Sequence, residues 1–344
     1  MKFKMVLAVL VTGACVLLTS CEQGPRMEHF SGPAQGATYN ITYWSEQPIA
    51  AAPLQQAVET ELERIDQLMS NYRPDSVIEQ FNQQQTLQPV AVGPELVQLV
   101  EQARQITEHS GGCYDLTVKP LFELWGFKND EFNQPTDAQI AALKADIGMD
   151  KLLSTDGNTL QKQRPQLRVD VSSIAQGYTV ARLAQILQNA GVQHFLVEVG
   201  GELITQGQKP DQQPWKVAIE KPLPGDQRLH KIIAISQTQP LSVMTSGTYR
   251  HYFDNAGQRY SHVLDARMGA PVKHQTVSTT VLIDDPTLGD AWSTTFLCLG
   301  SQEGLKVADK LGLKVLFIDQ QGDDLIELSS QALQHSKGIA WITP

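Results

Sequence analysis

Apolar residues recur along this chain with two distinct periods. Leu54, Val58, Leu62, Ile65 and Met69 follow the 3.6-residue helical repeat with charged residues between them. Leu96, Leu99, Val100, Ala103 and Ile106 do the same after Gly93-Pro94. The first predicted helix ends near Asn71-Tyr72-Arg73-Pro74, because proline pushes its predecessor out of the helical region. Shorter helices are predicted over 75–82, from Pro135-Thr136-Asp137 to Gly148, over 180–187 and over 302–311. Residues 38–44, 194–199, 215–220, 230–236, 241–244, 277–283 and 314–318 alternate or are rich in β-branched residues, and read as strands. Residues 249–254 and 259–265 flank Asn255-Ala256-Gly257-Gln258, a hairpin with His262 and Asp265 on its return strand. Gly32 to Ala37 reads as a turn-rich lead, and the residues beyond 318 as a polar stretch. Strands and helices alternate without a βαβ series or a repeat, which predicts an α+β fold with mixed or antiparallel sheets and packed helices.

The least ordinary stretch is Val169-Asp170-Val171-Ser172-Ser173-Ile174-Ala175-Gln176-Gly177-Tyr178. Leu167, Val169 and Val171 alternate with Arg168 and Asp170, which predicts a strand running into a helix through small polar residues. A helix start exposes free N–H groups that suit a phosphate. An acid at that place repels one unless a cation or a hydrogen-bonding sugar or base is present. Nucleotide plus metal is therefore the reading this junction suggests.

Composition narrows the choice. The formal charge of −10 argues against a nucleic-acid surface and for local anion binding through amides or a divalent ion. Lys2 and Lys4 precede an apolar run that ends Leu18-Thr19-Ser20-Cys21, the pattern of a secretory signal with a lipobox-like end. Residues 1–20 are expected to be removed and Cys21 to carry lipid, with 21–30 as a tether and 31–344 as the functional domain. Residues 1–20 hold two lysines and no acid, so their loss takes the formal charge from −10 to −12. With that lipid the chain is expected in a bacterial cell envelope, anchored to the membrane and facing the periplasm; the alternative is an ordinary signal peptide whose cysteine is incidental. Cys113 and Cys298 are read as buried or site-lining thiols, since spacing cannot decide whether they pair.

Two further stretches carry possible chemistry. Gly111-Gly112-Cys113-Tyr114-Asp115 breaks the helical rhythm, with glycines that permit close backbone approach and an acid behind them. It is either a ligand loop or an ordinary turn. In a helix starting near Pro286, Asp290 and Thr294 stand at i and i+4 on one face, hard oxygen donors suited to Mg²⁺. The alternative is a solvated face with Thr294 bonded back to the chain. His262 alone is more often a hydrogen-bonded structural histidine than a catalytic one. No Walker A, His-Glu-x-x-His or Gly-x-Ser-x-Gly motif occurs.

Taken together, these pieces resemble the ApbE family, the FAD:protein FMN transferases. The matching stretches are residues 111–121 with Leu124-Trp125-Gly126-Phe127, residues 170–178, Val197-Glu198-Val199-Gly200-Gly201-Glu202, Thr245-Ser246-Gly247-Thr248-Tyr249-Arg250, Ser261-His262-Val263-Leu264-Asp265 and Asp290-Ala291-Trp292-Ser293-Thr294. The resemblance implies a T-fold-like architecture and FAD as substrate. It implies transfer of the FMN moiety to a threonine hydroxyl of an acceptor protein, with release of AMP, in the presence of Mg²⁺. It implies FAD contacts from Gln35, Tyr72, Cys113, Tyr114, Asp115, Asp170, Gln176 and Leu264. Metal contacts fall to Ser173 (through its backbone oxygen), Asp290 and Thr294, and deprotonation of the acceptor threonine to His262. By analogy, the acceptors are subunits of Nqr- and Rnf-type redox pumps. Gln35 stands where the family often has methionine, Gln176 where lysine is common and Lys119 where glycine is common; Lys119 replaces the missing cation only if the fold brings it there. Two rival activities share the same residues: an FAD pyrophosphatase releasing FMN and AMP, and a flavin-binding lipoprotein without turnover.

Overall fold

The computed structural model describes residues 26–342 apart from 224, 226, 227 and 256. The leader at 1–20 and the lipidation expected at Cys21 lie outside the described residues. An eight-stranded sheet forms the centre, and its strands lie side by side in sequence order, every neighbouring pair antiparallel. They are Glu28–Ala34, Ala37–Trp44, His194–Val199, Glu202–Gln206, Leu241–Gly247, Thr276–Ile283, Lys314–Gln321 and Asp324–Ser329. The helices are α1 (Ala51–Met69), α2 (Val77–Gln83), α3 (Pro94–His109), α4 (Lys119–Leu124), α5 (Asp137–Lys144), α6 (Ser172–Asn189), α7 (Pro286–Leu311) and α8 (Gln331–Gln334). The α+β reading, with antiparallel sheets and packed helices, holds.

Strand alternation sorts side chains between two layers. Leu241 and Val243 face a dry cluster with Trp215, Val217, Ile233, Ile235, Leu282 and Leu316, built by a second sheet of Trp215–Glu220, Leu229–Ile235 and Ile339–Ile342. Met244 joins the opposite cluster with Tyr39, Ile41, Phe195 and Val197 under α1 and α6. The helical repeat read from the sequence is the buried face of α1, where Leu54, Val58, Leu62, Ile65 and Met69 are all covered. Each such side chain contributes about 1.5–3 kcal/mol by leaving water.

Several expectations change. Residues 167–171 are not part of any sheet, for reasons given below. The helices expected from Pro286 and over 302–311 are one, α7, broken at Gly300, whose φ of 71° and ψ of 171° leave the helical region. The His274 ring lies 2.8 Å from where a Cβ at Gly300 would sit, so only glycine fits. Residues 28–30 of the expected tether belong to the edge strand, where Pro33 is tolerated because the strand has a free side. The turn shrinks to Gln35-Gly36, both at positive φ, as a two-residue hairpin requires. The hairpin return strand stops at Ser261, one residue short of His262. The C-terminal polar stretch contains two strands. Among the described residues no helix is long and apolar enough to cross a membrane.

Candidate functional site

The crossing of α6 and α7 fixes the floor of the site. Gly177 lets the helices meet: a Cβ there would lie 2.3 Å from the Pro286 carbonyl oxygen and 2.5 Å from Asp290 Cβ. At that separation the Gly177 N–H donates to Asp290 Oδ2 over 2.8 Å. One turn on, Thr294 Oγ1 lies 3.2 Å from Ser246 Oγ, which is also 2.7 Å from Ser293 Oγ. Asp290 is 4% exposed, and burial pushes its carboxyl up to about 7 despite the donated amides. Asp285 caps α7 by accepting from the Thr287 and Leu288 amides.

Above this floor lies a cavity of about 350 Å³. It gathers Tyr72, Cys113, Tyr114, Asp115, Asp170, Ser173, Gln176, His262, Leu264, Asp290 and Thr294, residues that the sequence scatters over more than two hundred positions. Of the expected site residues, Gln35 alone does not line it. Its Nε2 donates to Thr179 Oγ1 at 2.8 Å, docking the hairpin tip on α6. Its Oε1 is buried with no protein partner among the described residues. Lys119 does not line the cavity either. It is buried against Glu79 and does not stand in for a lysine at position 176.

The loop 111–118 forms one wall. Asp115 spends both oxygens on the fold, Oδ1 accepting from Thr117 N and Oγ1 and Oδ2 from Met149 N. Ser173 Oγ donates to Tyr114 Oη at 3.1 Å, joining this wall to the start of α6. Cys113 and Cys298 are not free thiols: they form a disulfide, with Cα atoms 6.1 Å apart. The bond ties the loop to α7, and both cysteines line the cavity. The start of α6 is also less open to anions than its sequence suggests, since Asp170 Oδ1 already accepts from Ser172 N and Oγ.

His262 lines the same cavity. Its Nδ1 is 2.8 Å from the His251 carbonyl oxygen, which can only accept, so Nδ1 carries the hydrogen and Nε2 keeps its lone pair. Burial lowers its pKa to about 4, which keeps the ring neutral near pH 7.

Sequence reasoning assigned no role to Glu202, Ser246, Arg250 or His251, although the first three lay in stretches it quoted. All four line the cavity. Glu202 is buried and accepts from Thr245 N at 3.0 Å; burial, with Asp290 adding to it, holds its carboxyl well above the usual range. A buried acid directly after a Gly-Gly turn was the available signal. The cavity thus presents the acids Asp170, Glu202 and Asp290 and the hydroxyls of Ser246 and Thr294, against the guanidinium of Arg250. Such a donor set fits a hard divalent cation and, without one, opposes a phosphate.

The ApbE family model matches residues 35–317. The FAD:protein FMN transferase of Vibrio cholerae is 36% identical over 329 residues, 95% of this chain and 97% of that protein. The FAD:protein FMN transferase of Salmonella typhimurium is 35% identical, over 90% and 91%. Among solved structures, the flavin transferase ApbE from Vibrio cholerae superposes with a TM-score of 0.81 at 36% identity, covering 90% of this chain and 99% of that one. The apo form of the flavinyl transferase ApbE of Pseudomonas stutzeri gives 0.82 at 35% identity, over 90% and 96%. With the family's motifs converging on one cavity and its model spanning most of the sequence, this chain belongs to the ApbE family.

Proposed function

We propose that this chain is an FAD:protein FMN transferase that passes the FMN moiety of FAD to a threonine hydroxyl of an acceptor protein. The observation that carries this reading is one cavity lined both by a neutral histidine and by the hard oxygen donors Asp290 and Thr294. The threonine oxygen attacks the FMN phosphorus, the pyrophosphate P–O bond to AMP breaks, and AMP leaves. The threonine proton goes to His262 Nε2, the nitrogen left free by the bond to His251. His262 is a weak base at about 4; the negative charge of the bound nucleotide raises it toward the working pH.

Asp290, Thr294 and the Ser173 backbone oxygen are the residues that would hold Mg²⁺. When bound, the ion neutralises charge on the pyrophosphate and favours displacement at phosphorus. Tyr72, Cys113, Tyr114, Asp170, Gln176 and Leu264 line the space for FAD, with Asp115 bracing the loop. The lipobox-like end before Cys21 supports a lipid anchor in the bacterial envelope with the domain facing the periplasm. Subunits of Nqr- and Rnf-type pumps are then the acceptors of choice.

The test is incubation of the protein with FAD, Mg²⁺ and an acceptor carrying a suitable threonine. A fluorescent, covalently flavinylated band is expected, absent with EDTA. FMN release at the same rate with and without acceptor would replace the transferase by a pyrophosphatase, and binding without AMP release by a flavin carrier.

A further inference from the structure

The segment that presents Asp170 to the cavity has the alternation of a strand but no strand beside it. Two asparagine side chains take the neighbour's place. Asn82 Oδ1 accepts from Val169 N at 2.7 Å, and its Nδ2 donates to Val169 O at 2.8 Å, reproducing both bonds of a ladder rung. Asn71 Oδ1 accepts from Val171 N at 3.0 Å and its Nδ2 donates to Val169 O at 3.2 Å. The Asp170 amide donates to Leu116 O at 2.7 Å. Both asparagine amides spend their second hydrogen on one atom, Glu79 Oε1, at 3.0 and 2.9 Å. That oxygen also receives Lys119 Nζ, a lysine 4% exposed. None of these four residues lines the cavity; all four line a neighbouring groove.

We infer that Glu79, paired with Lys119, is a positioning residue for the nucleotide: it locks the two asparagines that set where Asp170 stands. This rests on the reading of Asp170 as a contact to FAD. The carboxylate is suited to the task because one charged oxygen accepts several hydrogens at once and fixes which way both amides face. The lysine keeps that carboxylate ionised where it is half-buried, and each charge makes the burial of the other tolerable.

The experiment is a double-mutant cycle read by FAD binding in equilibrium dialysis and by steady-state transfer. Glu79→Leu with Lys119→Met removes the anchor without stranding a charge. FAD affinity is expected to fall tenfold or more, with kcat at saturating FAD changed less than threefold. In an Asp170→Ala background the same pair of changes should weaken binding less than twofold further, because the residue being positioned is gone. Glu79→Gln with Lys119→Met, which keeps an acceptor oxygen, should recover most of the affinity. Equal losses with and without Asp170, or no loss at all, overturn the inference while leaving Asp170 as a contact. If Asp170→Ala alone leaves FAD affinity unchanged, the reading of Asp170 fails and this inference fails with it. Should the Leu/Met protein not fold, Asn71→Ala enters the same cycle with the same expectations.

Discussion

The two helices that meet at the cavity are held in different ways. The α7 wall is fixed by burial: Ala291, Trp292, Ser293, Thr295, Phe296, Leu297 and Cys298 are all covered, and Asp290 and Thr294 ride on a rod inside the core. The start of α6 is buried too, at Val169, Val171 and Ile174, but its backbone is also held by side chains, from Asn71, Asn82 and Asp170. Burial gives a surface that moves only if the core does. Side-chain ligatures give one that single substitutions away from the cavity can shift. The site pairs a rigid wall with a tunable one.

The largest test of that contrast is Asp290→Ala. Losing the floor carboxylate should cut transfer by about a thousandfold and remove stabilisation by Mg²⁺, while the metal-free melting temperature holds or rises because a buried acid is gone. Persistent Mg²⁺ stabilisation in thermal melts would move the metal off the α7 wall. Next comes the disulfide, which closes a span of 185 residues and ties the 111–118 loop to the rigid wall. Replacing both cysteines by serine should cost about 4 kcal/mol in urea unfolding, and dithiothreitol should destabilise the native protein but not the variant. Gly177→Ala forces the walls apart where there is no room for a methyl. A loss of about 3 kcal/mol is expected, with activity falling further than stability; a neutral result would mean the crossing is soft.

The smallest effect concerns the support behind the tunable wall. Lys162 Nζ donates to Asn82 O and Gln84 O at the end of α2, with no carboxylate among its partners, and burial with Arg168 nearby lowers its pKa to about 8. The charged form is therefore disfavoured in the folded state. Its cost is full below pH 8, fades as pH rises toward 10.5, and is gone where the lysine is neutral in both states. Unfolding free energy should rise over that window relative to Lys162→Met, by no more than about 3 kcal/mol.

The same contrast explains what was legible in the sequence. Amphipathic helices such as α1 announce themselves because one face meets water. The middle of α7 has no such face, so only its two ends were read as helix. The 167–171 alternation was seen, but period two records that alternate side chains are buried. It does not record whether the backbone partner is a strand or a pair of asparagines. The edge strand Glu28–Ala34 and the C-terminal strands were missed because edge positions are half polar. The cavity acids Asp115, Asp170 and Asp290 could be named from motifs. The disulfide could not, since its partners meet only through the complete fold.

The sequence-order layout of the central sheet bears on how the protein is made. Each strand of the sheet docks on the strand made before it, but the third, His194–Val199, pairs with the second, Ala37–Trp44, only after α1 to α6 have been made, so the first hairpin waits for that long insertion before the sheet extends. The floor carboxylate and the second cysteine arrive near residues 290 and 298, after six of the eight strands. A nascent chain therefore carries most of its sheet before both halves of the site are present.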